Sequence, residues 1–483
     1  FLPKFFYANI AKVVAIPVVS GMHLQGRTRE MGRLRSILDR REASFVHVSG
    51  VRGVGKTALL ERVLQDYPAL HFRCAPRADE AQQASLWQAL GARLDSTEGP
   101  PGDWAALLNA ALALAEPGGR PFVIVLDDAY RLVHGRSRIS DAVTLTLQRA
   151  RAEDRTFHIV TASHTSAPIG RERLAGTLGS EVNVEPLSFR AALPFLPGTT
   201  PRDFVRSYGT FGGIPNVLRS VDRSVTLSTN IRNLLLEPRA VLADAGRDWI
   251  ERDVQNPTRY YAVLSALAGG ETDWATVHRG VPDLTTSGQV APYLHRLEGL
   301  GLVRTRRSLD AGPRSRSRRY RVSDPFLAFW HRFVLPRLND TRGDSTSYLN
   351  DAIRPSRDDH THNVFAEICR QFMAHDALGV LGSNARESGS LWGSGYEIDS
   401  AGILGSGAAF YGNCFWRQVP HGGETLTALD EAIRENRYGF GREHRQRILF
   451  TARPPPRALK RAVAKRHNAS IIGPGVLAGM ADE

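Results

Sequence analysis

The chain has 483 residues with 62 Lys or Arg against 49 Asp or Glu, a formal net charge of +13, and is 42% hydrophobic and 8% aromatic. These are globular proportions with room for roughly two to four domains, which excludes a wholly disordered or fibrous chain. Three scattered cysteines, Cys74, Cys369 and Cys414, exclude a disulfide framework or a four-thiolate zinc site, and no apolar run reaches the roughly 18 to 20 residues that span a bilayer; a reducing, cytoplasmic setting without membrane contact is expected.

Residues 1–22 carry Lys4 and Lys12 in an apolar stretch broken by Asn9 and Pro17. They are expected to be an extension or start-site artefact, or a docking arm, rather than an export signal. From residue 23 to 190 strands and helices alternate, the order of a doubly wound parallel sheet. Glu30 to Asp39 is a predicted helix, SFVHVSG a strand, and ALLERVLQDY the helix that follows its glycine loop. Helices are predicted at Ala78 to Leu94 and Asp103 to Leu114, and buried strands at PFVIVLDD and TFHIVTAS. Residues 191–255 read as a helical lid. In 256–323, YYAVLSALA, DWATVHRG and QVAPYLHRLEGLGLV are three short helices, and the basic stretch from Arg304 to Val322 is a β-hairpin, together a winged helix-turn-helix. Residues 324–359, which open on the helix-like apolar segment DPFLAFWHRFVLP and turn polar around Leu338 to Asp359, are expected as a linker, and 360–483 as a last α/β region.

The strongest motif is Gly50-Val51-Arg52-Gly53-Val54-Gly55-Lys56-Thr57, which fits G-x-x-x-x-G-K-[ST] between a strand and a helix. Backbone N–H groups from Gly50 through Gly53, Val54, Gly55 and on to Ala58 would surround phosphates. Lys56 would reach the β and γ phosphates, and the Thr57 hydroxyl would ligate Mg²⁺. Only five lysines occur in the chain, so a lysine in this place stands out against an arginine-writing background. Asp127 and Asp128 close a buried strand: Asp127 as the magnesium-shell acid, and Asp128 either as the group orienting the attacking water or as a helix cap. Ser163, at a third strand end, is the candidate sensor of the γ-phosphate. Phe211-Gly-Gly-Ile-Pro215 reads as a helix-breaking turn.

The excess of basic residues favours a phosphate-bearing partner, DNA above all, with a protein partner or a homo-oligomer as alternatives. Arg314, Arg316, Arg318 and Arg319 on the wing are the candidate DNA contacts, a merely solvated loop being the competing view. The pairs His360/His362 and His444/His467 lack companion metal ligands and are expected at the surface.

The order GVRGVGKTALL, FVIVLDDAYRL, FHIVTASH, VEPLSFRAALPF, YGTFGGIPNVL and DPFLAFWHRFVLP resembles the archaeal-type ATPases of the STAND branch of AAA+-like P-loop proteins. The resemblance implies an ATPase, a winged helix and a restriction-endonuclease-like C-terminal domain over about Leu24 to Pro474. It implies that HLQGRTREMGRL lies on the adenine side and that Pro215 contacts the nucleotide base. It also aligns Glu367 and Asp399 with two acids of a nuclease centre. Where the family pattern leads one to expect Glu-Cys-Lys-Trp, however, this chain has Asn413-Cys414-Phe415-Trp416, without the second acid or the lysine. A degenerate, non-cleaving domain is therefore expected, with Glu367 and Asp399 as ordinary solvated or capping residues. The combined expectation is a slowly hydrolysing, ATP- and Mg²⁺-dependent switch coupled to DNA or protein. Its rivals are a DNA-binding regulator with a structural ATP site and a metal-dependent nuclease.

Overall fold

The computed structural model describes residues 24–94, 102–132, 139–164, 179–312, 315, 317–339, 344–419, 424–442 and 444–480. By contact they fall into two units. Described residues up to Val51 with Gly55–Glu185 form the first, and Arg52–Val54 with the residues from Pro186 onward form the second.

The first unit is a five-stranded parallel sheet of β1 (Ser44–Ser49), β2 (Ala69–Arg73), β3 (Phe122–Asp127), β4 (Phe157–Ala162) and β5 (Gly179–Asn183), in the order β2-β3-β4-β1-β5. Every residue of β1, β3 and β4 is buried, because both faces of a parallel sheet are covered by helices; β3 is nearly all apolar, while Ser44, His47 and Ser49 of β1 and His158 and Thr161 of β4 are buried among apolar neighbours. On one side Leu86, Leu90, Trp104, Leu107 and Leu108 pack against Ile124, Leu126, Phe157 and Ile159. The helix Trp104–Leu112 begins where the Asp103 carboxylate accepts the Ala106 N–H at 2.7 Å, filling one of the donors a helix start leaves open. This is a P-loop NTPase sheet. Its edge strands ALHFR and GSEVN are partly polar, and the sequence did not announce them.

The second unit starts with helices. Thr200 caps Pro201–Phe211, and a short helix, Pro215–Leu218, follows the double glycine. Next come the helices Thr258–Leu267, Trp274–Arg279 and Ala291–Gly299, with a small antiparallel sheet of β6 (Thr272–Asp273), β7 (Val303–Arg307) and β8 (Arg318–Val322) in the order β6-β8-β7. The described residues of the stretch 324–359 are largely helical: in the helix-like apolar segment DPFLAFWHRFVLP, Phe326, Phe329, Trp330 and Phe333 are buried, and the stretch expected as a polar linker around Leu338 to Asp359 is helical too, the helix Arg354–His375 running through the anticipated boundary at residue 360. Its polar composition hid the helices of that second part.

The last part is a mixed sheet of β9 (Ala385–Gly393), β10 (Tyr396–Leu404), β11 (Ala409–Phe415), β12 (Arg445–Thr451) and β13 (Ala469–Ile472), ordered β13-β12-β11-β10-β9. An antiparallel meander, β9 to β11, is continued by two parallel strands. Leu426, Leu429 and Ile433 of the helix Glu424–Glu435 and Leu459 and Val463 of Arg457–Ala464 pack on Leu391, Ala401, Tyr411 and Leu449. All three cysteines are buried free thiols. Among the described residues no helix is long and apolar enough to cross a membrane.

Candidate functional site

β1 runs into the glycine loop, and the helix Lys56–Leu64 leaves it. Gly53 and Gly55 have φ of +78° and +97°, a left-handed backbone that a side chain would strain. The Lys56 ammonium donates to the carbonyls of Gly50 (2.8 Å) and Val51 (3.2 Å), so it folds over the loop it must serve. Thr57 Oγ1 donates to Asp127 Oδ2 at 2.7 Å, joining the loop to the end of β3. Asp127 is buried, which by itself would favour the neutral acid. Hydrogen bonds from His71 and Thr57, and the charge His71 carries when protonated, outweigh that and hold the carboxyl below its ordinary range. An ionised carboxylate beside a hydroxyl is the oxygen donor set a hard cation such as Mg²⁺ takes, so these residues fit that ion.

Asp128 sits at φ +56°, in the left-handed region, with its N–H on Asp127 Oδ1 (2.9 Å) and its carboxylate 3.5 Å from Arg73 Nε. Asp128 also directly precedes the short helix Ala129–Leu132, and its carbonyl oxygen accepts the Arg131 N–H at 3.1 Å. Ser163 lies at the end of β4, fully buried. Its N–H bonds the Val48 carbonyl, and its hydroxyl is 3.4 Å from His47 Nε2, while His47 Nδ1 is 3.0 Å from Thr161 Oγ1. The sequence reading missed His47 and His71. The signal for both was a histidine interrupting a strand beside the loop or the acid pair.

Pro215 opens its short helix, and the next residue, Asn216, donates its N–H to the Gly53 carbonyl at 3.2 Å, a contact that lies wholly inside the second unit. The double glycine before it is required by close packing: a Cβ on Gly213 would stand 2.1 Å from the Leu187 carbonyl oxygen, to which the Tyr208 hydroxyl also donates. Asp324 locks the turn, accepting the Gly213 N–H on Oδ2 (3.0 Å) and the Phe326 N–H on Oδ1 (2.8 Å). Complete burial pushes its pKa up to about 6. Within HLQGRTREMGRL, Arg27 is buried and donates to the Glu185 carbonyl (2.6 Å) and to Glu30 (2.9 Å), fastening that segment just beyond β5.

Of the wing arginines, Arg314 and Arg316 lie outside the described residues. Arg318 is exposed, and Arg319 is engaged within the chain, 2.5 Å from Glu397 and stacked on Trp392 at 4.6 Å.

The centre aligned with a nuclease is filled by guanidinium groups. Glu367 is flanked by Arg321 (2.8 Å) and Arg370 (3.0 Å). Burial opposes its ionisation, but Arg321, Arg370, Arg306 and Arg304 outweigh it and lower its pKa to about 2. Arg370 also donates to the Asp399 carbonyl at 2.8 Å, and the Asp399 carboxylate accepts the Cys414 N–H at 2.8 Å. Asn413 accepts the Asp399 N–H at 3.4 Å. Neither acid is a solvated surface group, which corrects that expectation. Among the described residues no group of three His, Cys, Asp or Glu is arranged to hold a metal. His360 is corrected as well: it is buried, Nε2 lies 2.7 Å from the Gly209 carbonyl oxygen, and burial lowers its pKa to about 4, whereas His362, His444 and His467 are exposed.

Residues 23–160 match the family model described as an AAA ATPase domain, and residues 330–426 match one described as archaea bacterial proteins of unknown function. An uncharacterized protein of Methanocaldococcus jannaschii is 20% identical over 385 residues, covering 77% of this chain and 82% of that one. Among solved structures, the Walker-type ATPase of Pyrococcus abyssi is 16% identical, with a TM-score of 0.46 over 63% of this chain and 95% of that one. The ORC2 protein of Aeropyrum pernix, solved in ADPNP–ADP complexes, is 13% identical, with a TM-score of 0.41 over 66% of this chain and 95% of that one.

Proposed function

We propose that this chain, which carries an AAA ATPase domain followed by a domain shared with archaeal and bacterial proteins of unknown function, is a slow ATP-dependent switch whose nucleotide state governs binding to nucleic acid. The observation that carries the reading is the Thr57 to Asp127 hydrogen bond beside Lys56. It sets a hydroxyl, an ionised carboxylate and an ammonium at one strand-loop-helix corner, the grouping that triphosphate and magnesium require. Thr57 and Asp127 would hold Mg²⁺, which when bound supplies charge to the phosphate oxygens. Lys56 neutralises the β and γ phosphates, and the loop N–H groups orient them. Asp128 is the group for positioning the attacking water. Its short side chain and tie to Arg73 support slow turnover. Ser163, bonded to His47, would sense the γ-phosphate through that imidazole, and Pro215 would flank the base.

Coupling follows from the Gly53 carbonyl. A loop that closes on phosphates changes the backbone to which Asn216 N–H is bonded, and the double-glycine turn is rigidly joined through Asp324 to the helix starting at Pro325. Nucleotide occupancy thereby biases the three-helix and β-hairpin segment, a winged helix in this reading, toward or away from DNA. The C-terminal domain serves as a platform without cleavage, since Arg370 bridges Glu367 and the Asp399 backbone. A phosphate-release assay with DNA added and omitted tests the reading. Measurable turnover that changes with DNA is expected, together with loss of nucleotide binding in Lys56→Ala. Full ATP affinity in that variant at physiological magnesium would remove the site assignment, and turnover indifferent to DNA would favour the regulator with a structural ATP site.

A further inference from the structure

The phosphate loop has another attachment within the second unit, through a side chain rather than through its backbone. Arg52 stands in the middle of the loop, between Gly50 and Lys56. The Lys56 ammonium, which meets the β and γ phosphates in the reading above, bonds the Val51 carbonyl, and that peptide leads directly into Arg52. The Arg52 guanidinium, 28% exposed, faces the carboxylate of Asp253, with Nη2 3.8 Å from Oδ2, too far for a hydrogen bond. Its Nε is shielded from solvent without an acceptor among the described residues. The two side chains attract by charge but lack the two-point fit that a guanidinium fork makes with an oxyanion.

Asp253 is placed to pass on what Arg52 does. It follows the helix Ala245–Glu251, with its N–H on the Ile250 carbonyl at 3.0 Å. That helix is firmly seated: the Trp249 and Phe326 rings meet edge to face, centroids 5.6 Å apart, and a Cβ on Gly246 would collide with the Trp330 ring. Asp253 also begins the connection to Thr258–Leu267, the first of the three short helices, and in that connection Asn256 turns the chain at a left-handed φ of +54°. The Asp253 carbonyl oxygen accepts from Arg296 Nη2 at 2.8 Å, and Arg296 belongs to Ala291–Gly299. This is the third helix, which in the winged-helix reading is the one that enters a DNA groove. A single residue therefore faces the loop arginine with its side chain and tethers the third helix with its backbone, and all three residues lie in the second unit.

Electrostatics gives the contact a direction. An ion pair that makes no hydrogen bond is weak, whereas phosphate oxygens beside the loop offer Arg52 both charge and a fork-shaped set of acceptors. A triphosphate on the loop therefore outcompetes Asp253 for the guanidinium. Asp253 then loses a charge that holds it toward the loop, and the turn whose carbonyl tethers Arg296 is loosened. We propose that Arg52 exchanges Asp253 for bound triphosphate, and that this exchange releases the third helix from its tether on the Asp253 backbone. Asp253 is a positioning residue, acting through Arg52 on one side and Arg296 on the other. The inference rests on the ATP-dependent switch proposed above and names the side chains by which its loop reaches the third helix.

The experiment uses the full chain without DNA, with a non-hydrolysable ATP analogue and Mg²⁺ as the probe. Its readouts are analogue affinity and hydrogen exchange of residues 291–299. Asp253→Asn removes the competitor for Arg52 and should bind the analogue roughly twofold to fivefold more tightly than wild type, the reciprocal of the release the analogue causes. Arg52→Gln should bind it more weakly, and adding Asp253→Asn to Arg52→Gln should change affinity no further, because both act through one contact. A merely structural Asp253 would leave affinity unchanged or weaken it, by the same factor in both backgrounds. In wild type the analogue should speed exchange across 291–299, and Arg296→Gln, at an exposed side chain, should show that faster exchange with no nucleotide present. If the double variant melts below wild type, Asp253→Asn and Arg296→Gln alone carry the test. Affinity unchanged or lowered in Asp253→Asn, or wild-type exchange at 291–299 indifferent to the analogue, overturns the inference and leaves the ATP site standing. No analogue binding by wild type overturns the site and the inference together.

Discussion

Asp324→Asn probes the lock on the double-glycine turn, and its effect depends on pH in a way the geometry fixes. Asp324 is completely buried and its pKa is raised from 3.8 to about 6, so the folded state holds that proton more tightly than the unfolded one. For a carboxyl shifted in this direction, stability is greatest below the unfolded value and falls as pH rises through the window from about 4 to about 6. A shift of about two pKa units corresponds to about 3 kcal/mol, of which about 2 kcal/mol is expressed between roughly pH 4.5 and pH 7.5. Asparagine has no such titration. It does replace one of two acceptors with a donor, facing the N–H of Gly213 or of Phe326, at a cost of about 1 to 3 kcal/mol at every pH. Asp324→Asn should therefore be clearly less stable than wild type near pH 4.5, and the gap should close by about 2 kcal/mol toward pH 7.5. Urea unfolding across that range measures it, followed by tryptophan fluorescence, since five of the seven tryptophans, Trp249, Trp274, Trp330, Trp392 and Trp416, lie in the second unit. A gap that stays constant or widens with pH would refute the argument that a buried, ionised Asp324 bears the cost of clamping the turn.

Asp128→Glu should raise phosphate release several-fold if reach limits the attacking-water position, and a fall in turnover at unchanged ATP affinity would mark Asp128 as the fitted residue. Glu367→Gln should lower stability by about 3 to 5 kcal/mol, because Arg321 and Arg370 are left buried without their anion; a melting temperature equal to wild type would count against that ion cluster. The purified chain with Mg²⁺ or Mn²⁺ should leave DNA uncut, and cleavage that disappears in Asp399→Ala would reverse the platform reading.

What was legible in the sequence is what local chemistry writes. The β-rich stretches at 44–49, 122–127 and 157–162 are strands buried on both faces, as parallel sheets require. The glycine-lysine-threonine spacing fixed the loop, and the paired acids fixed the end of β3. What was not legible depends on partners distant along the chain. The edge strands Ala69–Arg73 and Gly179–Asn183 are short and partly polar, and are held by pairing with β3 and β1. His47 and His71 acquire meaning only beside Thr161, Ser163 and Asp127. The substitutions at Asn413 and Phe415 announced that a nuclease centre was broken, but not what filled it, because Arg321 and Arg370 are separated by about fifty residues and meet only in the folded chain. His360 looked like a surface residue for want of any local sign that helix Arg354–His375 turns it onto Gly209.

The burial of the three thiols gives the molecule its own clock. Burial raises the pKa of Cys74 and Cys414 above the ordinary thiol value, and all three sulfurs are screened from solvent, so an alkylating reagent finds neither thiolate nor access in the closed chain. Each modification must await an opening. Cys74 belongs to the first unit and Cys369 and Cys414 to the second, so peptide-resolved labelling of one native sample times the breathing of the ATPase sheet and of the C-terminal sheet separately. Added nucleotide would slow the first clock by direct binding, and any slowing of the second would measure, in units of time, how far that binding is felt.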